Sequence, residues 1–306
     1  MQAILSGAMS GLSRGMQGLG PGSMTWRRLG PAALIAVAML MAYSGTLLHL
    51  AGRWSREPDY SHGYFVPVFA AYLLWLRRDR LPAGTTGSIH GLWVIGAAMA
   101  LKVAAAFWMY FILEPVSLIV CLFGLGLLGG GVAAVRWAWP AILFLGFMIP
   151  LPGACSELLA HPLQRMATIS STYCLQVLGV PAVAEGNVIL LTSGKIGVVE
   201  ACSGLRMLLV FFAVCTAAAL VAARPIWEKV VMVLSAIPIA IAANVIRITS
   251  TGILHETIGG KAADAFFHDA GGWLMMPIAL TLLVVEMRLL TNLTETETHE
   301  FLLGAR

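Results

Sequence analysis

Three residues in this chain, Cys202, Arg247 and His268, have the side chains that acyl transfer needs. A thiolate attacks a carbonyl, a donor holds the oxyanion, and a histidine protonates the leaving amine. Cys202 stands in VVEACSGLR, where a β-branched stretch gives way to an apolar run of helical length. A thiolate at a helix N-terminus is stabilised by the helix dipole and by unpaired N–H groups. Ser203 can cap that helix. Arg206, four residues after Cys202, shares its helix face and can lower the thiol pKa further. The plain alternative is an inert boundary cysteine. Arg247 ends an apolar run in IAANVIRIT, with Asn244 one turn before it. An arginine inside a membrane helix costs ~2.5–3.5 kcal/mol or more, so such residues usually have a partner or a task. An arginine snorkelling to the interface is the alternative. His268 opens another apolar run in FFHDAGGW, where Gly271 and Gly272 permit close approach of another backbone. A structural interfacial histidine is the alternative there. His255 competes for the acid/base role, but the pattern HETIGGKAAD places it in a mobile loop. His62, in DYSHG, is a further histidine with a supporting place.

The elements that must position these groups lie in a membrane. Apolar residues are 59% of the chain, charged residues only 11%, and mean hydropathy is +0.85. Soluble domains carry about 25% charged residues. Apolar runs are expected to span at about Leu29–Leu50, Tyr64–Leu76, Leu92–Phe111, Val116–Val135, Ala138–Pro150, Gly204–Ala223, Val230–Ile248 and Phe267–Leu289. Ser156–Leu178 carries Glu157, His161, Gln164 and Arg165 in its first half, so a helix in or dipping into the interface is favoured over a ninth span. Asn187–Ala201 is β-branched on both sides of a Ser-Gly pair and predicts a hairpin. The expected fold is therefore an all-α polytopic membrane protein of about eight transmembrane helices, with a short extended hairpin before Cys202. Residues 1–28 are expected to form a flexible leader, 29–290 the membrane domain and 291–306 a solvated tail.

Orientation follows from the basic residues. Eight spans put Arg27 and Arg28, the Arg77/Arg78/Arg80 loop, Arg136, Arg224 with Lys229, and Arg288 on the cytoplasmic side. His62, the hairpin, Cys202, Arg247 and His268 then share the opposite face. The net charge of +4 is a topology signal and does not suggest a nucleic-acid partner. Five cysteines without a CxxC spacing argue against a disulfide framework or a zinc site. Cys121, Cys174 and Cys215 lie within apolar runs and read as small core hydrophobes.

The run YSHG…P…LLW (Tyr60–Trp75), FMIPLP (Phe147–Pro152), EACSGLR (Glu200–Arg206), NVIRI (Asn244–Ile248) and HDAGGW (His268–Trp273) resembles the exosortase/archaeosortase family. The resemblance covers about Asp59 to Leu290, in order. It implies a catalytic trio of Cys202, Arg247 and His268; the residues' own placement puts Arg206, Ser203, Asn244 and His62 in support. It also implies an intramembrane cysteine protease or transpeptidase of the bacterial inner membrane, with its active site on the periplasmic side. The implied partners are exported proteins with a C-terminal Pro-Glu-Pro-like motif, an apolar helix and a basic end. No metal or cofactor is implied. Some members carry an extra C-terminal soluble domain, which this chain is expected to lack. The rival reading is a transporter or polysaccharide-export protein, to which Lys102 and Glu114 would contribute an ion path. Against it, no internal repeat is visible, and the notable polar groups sit at one face.

Overall fold

A chain in hydrocarbon must satisfy its own backbone polar groups, which favours helices. In the computed structural model 83% of the described residues are helical. The structure describes residues 26–80, 86–198, 204–259 and 271–293. The chain divides into two units, Met1–Leu48 and His49–Arg306. The first contains most of α1 (Trp26–Arg56). The end of α1 and every later element belong to the second.

In that second unit a 3-10 turn, Pro58–Tyr64, leads into α2 (Phe65–Leu76). α3 (His90–Trp108) and α4 (Leu113–Phe144) follow. Inside α4, Gly131 has φ 64° and ψ −160°, a break that a residue without a side chain adopts at least cost. The two arms run in opposite directions. The first arm lies antiparallel to α3, with the Ser88 N–H donating to the Leu127 carbonyl at 2.9 Å. The approach is close: a Cβ at Gly91 would strike the backbone of Leu128 and Gly124. The second arm returns along α2. Trp137 Nε1 donates to the Arg77 carbonyl at 2.7 Å at one end, and the Phe69 and Phe144 rings lie 4.9 Å apart further on. By helical rise the first arm, 113–130, is about 27 Å long, close to the thickness of a hydrocarbon core, and the second, 132–144, is about 20 Å. The sequence places this boundary near Arg136; the fold places it at Gly131, because the glycine run Gly129–Gly131 sits where α3 enters.

After a 3-10 turn at Leu145–Met148, α5 (Gly153–Val177) begins. It packs beside a three-stranded antiparallel sheet of β1 (Ala182–Glu185), β2 (Val188–Leu191) and β3 (Gly194–Gly197). The expected hairpin is β2–β3. The extra strand β1 pairs Val183 with Leu190 across a two-residue turn at Gly186–Asn187. α6 (Gly204–Val221), α7 (Ile226–Leu234), α8 (Ala236–Ile258) and α9 (Gly271–Leu293) complete the order. Ala236, Ala240 and Ala243 give α8 a small-residue face on which Met207, Phe211 and Cys215 of α6 and Ala279 and Leu283 of α9 pack.

Among the described residues, three helical stretches are long and apolar enough to cross a bilayer: His90–Trp108, Leu113–Met148 and Ile226–Ile258. Leu205–Val221 is a shorter apolar helix. The Ile226–Ile258 stretch has 33 residues, about 50 Å of helix against a core of about 30 Å. Its C-terminal third packs instead on α5 and the sheet. Ala167 and Leu175 of α5, Ala182, Ile189 and Val198 of the sheet region, and Ile248 form that second core. α5 accordingly has one face in a small extended layer and is not among the candidate spans, in line with its polar first half.

Basic residues of the predicted cytoplasmic loops meet one another and their neighbouring elements. Arg77 Nη2 reaches the Arg136 carbonyl at 3.5 Å, which brings two predicted cytoplasmic clusters together. Arg224 bonds Glu228 at 2.7 Å and Thr291 Oγ1 at 2.6 Å, tying the α6–α7 loop to the end of α9.

Candidate active site

Cys202, Ser203 and His268 lie outside the described residues, so the structure speaks to their flanks. Upstream, the β2–β3 hairpin delivers the chain to residue 198. The Val198 N–H donates to the Asn187 carbonyl at 2.8 Å, and Asn187 Nδ2 donates to Gln164 of α5 at 3.2 Å. Val198 is fully buried and packs in the cluster that includes Ile248, the residue after Arg247. Downstream, α6 begins at Gly204, and Arg206 Nε donates to Asp59 Oδ1 at 3.0 Å. The described flanks are thus anchored, Val198 in the cluster of Ile248 and Arg206 at the Pro58–Tyr64 turn.

Arg206 was expected to help the thiolate. Its guanidinium is engaged by a carboxylate 147 residues away in sequence. Both side chains are more than a third exposed, 36% and 41%, so the pair adds only about 0.2–1 kcal/mol of stability. Its effect is positional: it fixes the first turn of α6 against the turn that carries DYSHG. That turn is itself tied down. Trp54 Nε1 donates to the Met148 carbonyl at 2.9 Å, and any Cβ at Gly63 would collide with the same indole. The Tyr60 hydroxyl lies 3.2 Å from Ser156 Oγ. His62 Nε2 lies 3.2 Å from the Phe147 carbonyl, and burial pushes the His62 pKa down.

On α8, Asn244, Arg247, Thr251 and His255 are all buried, with Arg247 8% exposed. They form a polar band within one side of the helix. Thr251 Oγ1 donates to the Arg247 carbonyl at 2.8 Å. By helical rise Arg247 lies about 32 Å from Ile226, where a hydrocarbon core would end. His255 is not in a loop. It is 6% exposed inside α8, because the helix continues to Ile258 against the sheet. Its Nδ1 lies 3.2 Å from Ser193 Oγ, and Ser193 Oγ donates to Glu256 Oε1 at 3.0 Å. The Ser193 N–H donates to the same carboxylate oxygen at 3.0 Å. This latch holds the β2–β3 turn on α8.

Asp59, Ser193 and Glu256 were not singled out from sequence as site residues. Asp59 had a signal, its place in DYSHG; its pairing with Arg206 had none. Cys121 and Cys215 are buried, as expected of core thiols, while Cys174 is half-buried. Among the described residues no group of three or more His, Cys, Asp and Glu side chains converges as a metal site would require.

Apolar helices with polar groups collected at the Asp59 end define a polytopic helical membrane protein. The family model described as transmembrane exosortase matches residues 54–285. The chain belongs to that family. No curated protein and no solved structure matches it significantly.

Proposed function

We propose that this chain is an intramembrane cysteine protease or transpeptidase acting on the C-terminal sorting signals of exported proteins. Cys202 is the nucleophile. Its thiolate attacks the scissile carbonyl, and Arg247 holds the resulting oxyanion through its guanidinium donors. The C–N bond then breaks, the departing amine takes a proton from His268, and a thioester remains on Cys202. Water or an amine attacks that thioester, and the thiolate leaves. The cut frees the exported part from an apolar helix and basic end that stay with the bilayer.

The observation that carries this reading is the bracketing of residues 199–203. Val198 packs with Ile248, next to the buried Arg247, and Arg206 is held at the Asp59 turn. A buried arginine on α8, next in sequence to a residue that shares a core with Val198, supports an oxyanion donor for a nucleophile four residues beyond Val198. We read the site as facing the periplasm of the bacterial inner membrane, a reading supported by the positive-inside rule applied to Arg77, Arg136 and Arg224. Asn244, Ser203 and His62 are supporting groups.

The test is the size shift of an exported protein bearing the tripartite tail, in a strain that has only this enzyme. Cys202→Ala and Cys202→Ser should both leave the substrate uncut while inserting normally. A hydroxyl without a strong adjacent base is a far poorer nucleophile than a thiolate. Normal processing by Cys202→Ala ends the cysteine-protease reading.

A further inference from the structure

Among the described residues β3 is the last strand of the sheet and pairs with no strand on its outer edge, and in sequence it precedes the segment of Cys202. Leu191 and Gly194 flank the two-residue turn Thr192–Ser193, and Ile189 pairs with Ile196. In an antiparallel ladder the bonded pairs alternate. The pairs 191/194 and 189/196 are therefore the bonded ones, and the 2.8 Å bond from Val198 N–H to the Asn187 carbonyl continues the same alternation. Lys195 and Gly197 consequently turn their N–H and C=O groups away from β2. Among the described residues neither group meets a backbone partner outside the sheet. Lys195 is exposed and Gly197 half-exposed, while Ile196 between them is buried.

We infer that the outer edge of β3 binds the peptide substrate as an added parallel strand, immediately upstream of the nucleophile. The inference rests on the protease reading above and names how that site holds its substrate. In a parallel ladder one residue of the added strand donates its N–H to one carbonyl and accepts from the N–H two residues further along. The Lys195 carbonyl and the Gly197 N–H are such a pair, so β3 offers one full bridge. The direction fits. β3 starts at the His255–Glu256 latch and runs toward Val198 and Ile248, back along α8 toward its membrane-spanning part. A substrate whose apolar anchor follows its motif enters the membrane in that same direction.

The alternation also sets the chemistry of the occupant. The bridging residue needs a free N–H. The residues on either side point theirs away from β3, so proline is tolerated at both. A Pro-Glu-Pro tripeptide satisfies this pattern, with glutamate as the bridging residue. The flanking prolines also leave the new edge without donors for further pairing.

The test is an N-methyl scan of a synthetic substrate, cleaved by the full-length protein in lipid nanodiscs. Alanine replaces the two prolines so that each of the three N–H groups can be removed singly. Methylation at the central residue should lower kcat/KM about tenfold through KM, the effect of one lost hydrogen bond with its partner left unpaired. Methylation at either neighbour should change it by less than about twofold, because no bond is lost there. On the enzyme, Gly197→Pro removes the donor without touching a bond to β2 and should raise KM, whereas Val183→Ala, exposed on the far strand β1, should not. An even response across the three positions, with the unmodified peptide still cleaved, overturns the edge-strand inference alone. Failure to cleave the unmodified peptide, with no acyl adduct on Cys202, overturns the protease reading and this inference with it.

Discussion

Arg206 and Arg247 carry the same charge, and the fold gives them different surroundings. Arg206 is bound to Asp59 and sets the position of α6. Arg247 is buried on α8, where a planar fork of donors can follow charge as it develops on oxygen. Arg206→Lys should therefore keep most of the processing rate, because lysine still pairs with Asp59. Arg247→Lys should lose about 100-fold or more in kcat/KM, the cost of removing an oxyanion donor. Equal tolerance at both positions contradicts an oxyanion role for Arg247. A second expectation concerns His62. Burial lowers its pKa from 6.5, so the folded state prefers the neutral ring. Its contribution is fully present above about pH 6.5 and is lost as pH falls from there toward the lower folded value. Thermal unfolding in detergent should show Tm falling below that pH for the wild type, with a flatter profile for His62→Gln, which keeps a donor for the Phe147 carbonyl. Identical profiles would remove His62 from the account. Cys202, Arg247 and His268 stand out in the sequence because each lies at a boundary of an apolar run, and of the three the described residues include Arg247. The Asp59–Arg206 pair was not, since nothing local in either segment specifies a partner so far along the chain.

At the scale of elements, the sequence shows most helices, and what it misses has physical causes. Hydropathy puts the α4 boundary at Arg136 because charge marks it. The turn is made at Gly131, where positive φ is needed. β1 is four residues, Ala182–Glu185, too short to show an alternating pattern on its own. His255 was read as a loop residue because Gly259 and Gly260 follow it closely. Packing on Ser193 and the sheet extends α8 past the point where lipid would cease to support it. Glycine packing gives a prediction here. Gly91→Val forces a side chain into the backbone of Leu128 and Gly124, whereas Gly96, in the same helix, has open space around it. Gly91→Val should cost about 1–3 kcal/mol of stability, read as a lower Tm in detergent, and Gly96→Ala should not lower Tm. Equal behaviour of the two variants would mean that α3 and α4 do not pack through Gly91.

For the molecule as a whole, the arrangement is two-ended. Asp59, Ser156 and Arg206 meet at one end, and Arg77 meets Arg136 at the other. Single cysteines in a background without native thiols report which end faces out. Lys195→Cys should react with a membrane-impermeant reagent in intact cells, and Asp79→Cys only after permeabilisation; the reverse pattern would invert the orientation. The central claim, that Cys202 carries the acyl group, is tested most directly by mass spectrometry of the full-length protein quenched during turnover of a tail-bearing substrate. The account predicts a hydroxylamine-sensitive adduct on the peptide containing Cys202, with the mass of the substrate's N-terminal fragment, absent in Cys202→Ala. Cleavage that proceeds at the normal rate with no such adduct, or with the adduct on another residue, would contradict it.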